Sequence, residues 1–333
     1  MELVMAGLDH NRADIETREV FALTKELTTK TLSAMKASSI IGGCVIISTC
    51  NRTELYASTI NTEHINTPEM LCNILNKDYR MYKDFFIETT NEATIERLCR
   101  VASGIDSQIM GDDQIITQVR EAVDFSRSIG CTDGYVETLF KFAIQAAKDI
   151  KTQVLLRTLG LDSVPQKTVE KLVSLGQMSG RKAVVIGNGF IGRLVAEHLI
   201  GENIKVVVTL REYKYSPIKI PEKAETISYS DRYSAIEDAD IVVSATSSPH
   251  YTLKYDEFCT LKRYPTHIID LAVPRDIDPQ IGNLPNTTLF TIDDITSENR
   301  IIPLDISTKI DNIVRTHINK YNNWLSYKKK VAI

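Results

Sequence analysis

The 333-residue chain is 43% hydrophobic and 25% charged, with a formal net charge of -4. That mixture builds roughly two globular domains and gives no global attraction to nucleic acid, so an RNA partner would have to be held by a local patch or by shape. No apolar run reaches the ~20 residues of a membrane helix, and the start MELVMAGLDH has neither the basic nor the apolar region of a signal peptide. The expected location is therefore cytoplasmic.

The segment ELVMAGL reads as a short strand. TREVFALTKELTTKTLSAMK follows with Val20, Phe21, Leu27 and Leu32 at helical spacing, and then CVIIS reads as a second strand. From Asn91 to about Lys151 the pattern is helical: Ile95, Leu98 and Ala102 mark one segment, and Ile115, Val119 and Val123 the next, with Gly130 as a stop. A long helix then carries VETLFKFAIQAAKDIKTQVLL. Residues 1–152 thus form an α+β domain. Pro165 is placed to open a new helix at its first turn. Residues 153–300 read as α/β, because KAVVIGNGFIGRLVAEHLIGENIKVVVTL is a βαβ unit, and the consecutive apolar residues of ADIVVSAT and THIIDLA suit buried parallel strands. Residues 301–333 carry a terminal helix with Ile306, Ile310, Ile313, Val314, Ile318, Tyr321 and Trp324 in one stripe, which requires a partner surface.

Within the βαβ unit, Gly187, Gly189 and Gly192 have G-x-G-x-x-G spacing between a strand and a helix. The first glycine permits a tight turn, the second lets backbone approach a pyrophosphate, and the third lets helix and strand pack closely. Gly187, Asn188, Gly189, Phe190, Ile191 and Gly192 are the candidate cofactor-binding residues. A chain selecting NAD usually ends its second strand with an acidic residue for the ribose 2′-hydroxyl; here that strand runs into Arg211, which suits the 2′-phosphate of NADPH. A solvated surface arginine is the alternative, kept open by the adjacent Glu212.

Six cysteines, at 44, 50, 72, 99, 131 and 259, form no Cys-x-x-Cys pair and have no histidine at zinc spacing, which argues for thiols and against a metal site. Five have no polar surroundings and read as packing residues. Cys50 lies in VIISTCNRTELY, where Thr49, Asn51 and Arg52 end a strand. Arg52 falls on the same face as Cys50 if the strand continues, and its charge would then favour the thiolate.

Together AGLDH, STCNRTELY, RVASGIDSQIMGDDQIITQV, GNGFIG and IDLAVPRDIDPQIGNL resemble the glutamyl-tRNA reductase family over residues 1 to 325. The resemblance implies an N-terminal catalytic domain, a Rossmann-like doubly wound NADP-binding domain, a long spinal helix and a C-terminal dimerisation domain. It implies NADPH-dependent reduction of glutamyl-tRNA to glutamate-1-semialdehyde, which opens the C5 route to tetrapyrroles such as porphyrins. Cys50 would form a thioester, and the two domains would have to approach for reduction. The downstream semialdehyde aminomutase becomes a candidate partner. By position, the substrate-binding residues fall on Thr49, Asn51, Arg52, Ser107, Asp112, Asp113, Gln114 and Gln118, with Arg52 clamping the glutamate carboxylate as a bidentate fork.

Some positions depart from that pattern. Arg97 stands where the family has a histidine; a permanently charged arginine is no general base. It either turns inward to assist a thiolate or oxyanion or lies exposed on its helix. LGLDSVPQKTVE replaces a small-residue stretch, and GDDQ replaces GEPQ. His10 is a candidate substitute base, although a lone histidine is more often structural. With so few residues after Trp324, the dimerisation domain is expected to be absent, and oligomeric state is left open. Two rival readings stand beside the reductase: a catalytically weakened NADPH- or tRNA-binding regulator, and a reductase of another acyl carrier or aminoacyl-tRNA.

Overall fold

A computed structural model describes residues 1–60, 65–108, 114–154, 164–211, 220–296 and 302–331. The chain divides into two units, Met1–Leu161 with Arg300–Ile333, and Asp162–Asn299.

In the first unit, β1 (Leu3–Asp9), β2 (Ile41–Ser48), β3 (Arg52–Thr59) and β4 (Ile87–Thr90) form an antiparallel sheet in the order β2-β3-β1-β4. Its helices are α1 (Ile15–Val20), α2 (Lys25–Ala37), α3 (Thr67–Ile74), α4 (Tyr79–Tyr82), α5 (Asn91–Ala102), α6 (Gln114–Ser128), α7 (Gly134–Gln153) and the terminal helix Leu304–Val331. Both faces of the sheet are covered. Successive side chains of a strand point to opposite faces, so Leu3, Met5, Val45, Ile47 and Tyr56 join a core with Leu98, Val119, Phe140 and Tyr321. Val4, Leu8, Cys44, Ile46, Leu55 and Ala57 join another with Phe21, Leu32, Met35 and Leu71.

The stretch from Thr17 to Lys36, which has helical spacing throughout, is two helices. Phe21 closes α1 and is buried, and Thr24 starts α2 by accepting a hydrogen bond from the Leu27 N–H at 3.2 Å. Gly130, at φ +71°, ends α6 as its position predicts. The terminal stripe has its surface: Ile310, Ile313, Val314 and Tyr321 pack into the core that holds α5 and α7.

The second unit opens with α8 (Val164–Ser174), whose first turn holds Pro165. β5 (Lys182–Ile186), α9 (Phe190–Gly201), β6 (Lys205–Leu210), β7 (Glu225–Ser228), α10 (Arg232–Glu237), β8 (Ile241–Ser244), α11 (Tyr255–Phe258), β9 (His267–Asp270), β10 (Thr288–Thr291) and α12 (Ile292–Thr296) follow. All six strands are parallel, in the order β10-β9-β8-β5-β6-β7. Helices α8, α9 and α12 cover one face, and α10 and α11 the other. The chain reverses direction of travel across the sheet between β5 and β8, the switch point where doubly wound sheets bind ligands at their carboxyl edge. No helix among the described residues is long and apolar enough to cross a membrane.

Candidate active site

Cys50 does not lie on a continuing strand. β2 and β3 pair antiparallel, with Ser48 opposite Thr53, and the chain reverses between them. The Thr49 N–H donates to the Arg52 carbonyl at 2.9 Å, the Asn51 N–H to Thr49 Oγ1 at 3.2 Å, and the His10 N–H to the Asn51 carbonyl at 2.9 Å. The half-buried thiol therefore sits in a tight turn fastened to the end of β1, and the expected shared face with Arg52 is lost to the reversal. Asn51 Oδ1 is buried and accepts no hydrogen bond among the described residues.

Arg52 instead shares a face of β3 with Glu54 and Tyr56, two and four residues on. Its Nη1 donates to Glu54 Oε1 at 2.9 Å and its Nη2 to the Asp106 carbonyl, and the side chain is 1% exposed. The guanidinium expected to clamp a carboxylate is thus held by Glu54 and the Asp106 carbonyl. Of the two placements left open for Arg97, the structure takes the inward one. Its guanidinium lies 2.6 Å from both Asp9 Oδ2 and Glu54 Oε1 and 3.3 Å from Asp106 Oδ2. Arg100 adds a 3.1 Å contact to Asp106 and a 3.4 Å contact to Asp311 of the terminal helix. Three guanidiniums thus face the three carboxylates of Asp9, Glu54 and Asp106. Burial would raise the Glu54 carboxyl, but the charges of Arg52 and Arg97 override it and hold it below the usual carboxylate range. Asp9 is likewise lowered against its burial by Arg97. The Tyr56 phenol, donating to Glu54 at 2.6 Å, is pushed well up by burial and by that carboxylate.

Among the other expected residues, Ser107 follows Asp106, and its N–H donates to the Gly104 carbonyl at 3.3 Å. Gln114 and Gln118 are half-buried on the first turns of α6, and Gln118 makes no hydrogen bond to the turn. Asp112 and Asp113 lie outside the described residues. Asp9, Glu54, Tyr56 and Asp106 stand in the motifs that mark the site in the sequence, but not as its expected functional residues. Arginine, glutamate and tyrosine at alternate positions of RTELY were the available signal.

In the second unit, Gly187 (φ +102°) turns the chain from β5 into α9. A Cβ there would lie 2.7 Å from the Ala245 carbonyl oxygen, and one on Gly192 would fall on the Gly187 carbonyl oxygen. Gly189 has nothing within 4 Å. Two glycines are thus required by the protein itself, while the second is open toward a cleft of about 420 Å³ lined also by Asn188, Thr209, Arg211, Tyr229 and Thr246. Phe190 is exposed and Ile191 packs inward. Arg211 rests with Cζ 4.2 Å from the Tyr229 ring centroid. Below the cleft, buried Asp276 accepts from Ser244 Oγ at 2.7 Å and from the Thr246 N–H at 2.8 Å, fixing the loop after β8. An open helix N-terminus, a glycine turn without a Cβ and a cation at the end of the second strand fit a pyridine dinucleotide.

That second unit puts the chain in the class of pyridine-nucleotide-dependent oxidoreductases. Residues 6–154 match the family model for the glutamyl-tRNAGlu reductase N-terminal domain, and residues 168–298 that for shikimate / quinate 5-dehydrogenase. The glutamyl-tRNA reductase of Alkaliphilus oremlandii is 40% identical over 332 residues, 98% of each chain. That of Acetivibrio thermocellus is 40% identical over 337 residues, 100% of both. Among solved structures, glutamyl-tRNA reductase from Methanopyrus kandleri shares the fold at a TM-score of 0.50 and 23% identity, over 99% of this chain and 82% of that one. The chain belongs to the glutamyl-tRNA reductase family, and its match to two relatives essentially end to end means the family has members of this extent.

Proposed function

We propose that this cytoplasmic chain is an NADPH-dependent glutamyl-tRNA reductase acting through Cys50. The Cys50 sulfur attacks the ester carbon joining glutamate to the tRNA 3′ end. The carbon–oxygen bond to the ribose breaks, the ribose oxygen takes a proton, and the glutamyl group stays on the protein as a thioester while tRNA leaves. NADPH, when bound, would supply the hydride that reduces the thioester carbon to the aldehyde, and the Cys50 thiolate would leave. The residues from Gly187 to Gly192 and the N-terminus of α9 would hold the pyrophosphate, and Arg211 the 2′-phosphate. Asn51, whose N–H donates to Thr49 Oγ1 in the same turn as the thiol, is read as a substrate contact. Thr49 lies in the same turn, and Arg52 and Arg97 pair with Glu54 on the strand that leaves it. The aldehyde product is reactive, so direct uptake by a semialdehyde aminomutase is part of this reading.

The observation that carries it is the thiol turn itself: a half-buried cysteine held at a strand reversal next to a charge-balanced, buried frame, in a chain similar to glutamyl-tRNA reductases over its whole length. Purified protein is mixed with glutamyl-tRNA and NADPH and semialdehyde is followed; Cys50→Ser is expected to lower turnover at least about a thousandfold. With radiolabelled glutamyl-tRNA and no reductant, label should remain on Cys50 after quenching. Undiminished turnover in Cys50→Ser, or no acyl label, overturns the mechanism. Cofactor binding without turnover in the native protein selects a regulator instead.

A further inference from the structure

We infer that Tyr229 is the positioning residue that holds Arg211 for a 2′-phosphate, so that preference for NADPH over NADH is set by a tyrosine just after the third strand as well as by the arginine just after the second. The inference rests on the cofactor reading above and goes beyond it in naming what places the arginine.

Tyr229 follows β7 directly and lines the nucleotide cleft together with Arg211. Two guanidinium carbons lie over its ring, Arg211 Cζ at 4.2 Å and Arg232 Cζ at 4.3 Å from the centroid. Arg232 is anchored by protein groups: its Nε donates to the Thr252 carbonyl at 2.9 Å, its Nη1 to the Tyr229 carbonyl at 3.1 Å, and Glu257 lies 3.7 Å from Nη2. Its Cζ also lies 4.6 Å from the Tyr233 centroid. Arg232 thereby fixes the Tyr229 ring and backbone. Arg211 is exposed and lines the cleft.

A long arginine at a strand end has many rotamers, and ordering it on ligand arrival would cost affinity. Contact with an aromatic face holds the guanidinium by its charge against the π system and uses no N–H donor, so the donors that a phosphate needs are not engaged by the ring. Two cations gathered at one ring also raise the positive potential at this edge of the cleft, which favours a dianion over a hydroxyl. The ring's hydroxyl plays no part in this, whereas its π face does.

The test measures dissociation constants of the full chain for NADPH and NADH. Tyr229→Phe keeps the ring and is expected to retain the native preference. Tyr229→Leu keeps bulk without a π face and is expected to weaken NADPH about fivefold while leaving NADH within about twofold. Arg211→Ala should lose NADPH preference too, and Arg211→Ala combined with Tyr229→Leu should be no worse than Arg211→Ala alone, because the tyrosine acts through the arginine. Equal weakening of both nucleotides by Tyr229→Leu would make the ring merely structural. A native preference that survives Tyr229→Leu, or additive losses in the double variant, overturns the role of Tyr229 alone. A native protein without preference for NADPH removes the cofactor reading beneath it, whatever the variants do.

Discussion

Glu54 is the residue on which the thiol turn depends most. It is fully buried, and its carboxylate answers two guanidiniums and a phenol at once. Removing one partner of a buried charge cluster leaves the others uncompensated, so Glu54→Gln is expected to cost about 3–5 kcal/mol in urea unfolding of the first unit. An unchanged midpoint would mean that the cluster relaxes around the loss. Arg97→His follows the same logic. Family resemblance makes it a restored base, but an imidazole cannot span Asp9, Glu54 and Asp106, and a loss of about 3 kcal/mol is expected before any gain in chemistry. The pH dependence has a definite sign. The carboxyls of Asp9 and Glu54 are lower in the folded chain than their ordinary values of about 4, so their stabilisation is complete above that pH and lost as pH falls through the folded values. Glu54→Gln should therefore flatten the acid-unfolding slope below about pH 4.

At the level of elements, the turn between β5 and α9 separates what folding requires from what a ligand requires. Gly192→Ala drives a methyl into the Gly187 carbonyl and should lower both stability and nucleotide affinity. Gly189→Ala meets nothing in the protein, so its melting temperature should match the native chain, while NADPH affinity falls at least about tenfold because the added methyl faces the cleft. Parallel losses in both variants would place Gly189 in the fold rather than the site. This βαβ unit was legible because apolar runs, glycine spacing and helix length all point one way. β7 and β10 were not: ETIS and TLFT are short edge strands without a buried apolar run. The break between α1 and α2 escaped a spacing argument because Phe21 keeps helical phase while leaving the helix. At the site, the thiol turn stood out as a motif, yet its charge cluster did not, since Asp9, Arg97 and Asp106 meet only through β1 and α5, far apart in sequence.

The whole molecule should show two unfolding events that separate as pH falls. In the first unit the buried groups Asp9, Glu54 and His317, which titrate on the acid side of neutrality, pull the same way. His317, fully buried and held by Asp149 at 2.8 Å, has its basicity lowered by burial, so the unfolded chain takes the proton first. Its stabilisation is complete above about pH 6.5 and lost below it, and Asp9 and Glu54 add their losses below about pH 4. In the second unit, His267 acts likewise, but Asp270 and Asp276 act oppositely. Burial, and for Asp270 also the neighbouring Asp276 charge, raises these carboxyls in the fold. They penalise the native state as pH rises above about 4, and acid removes that penalty. The single tryptophan, Trp324, packs against Tyr135 and Tyr321 and reports the first unit alone. Between pH 7 and 5 its fluorescence transition should move to lower temperature while the remaining far-UV circular dichroism transition holds. His317→Gln should abolish most of that shift. If fluorescence and circular dichroism instead keep one common midpoint across the range, the two units unfold together and their opposed titrations are cancelled within one cooperative transition.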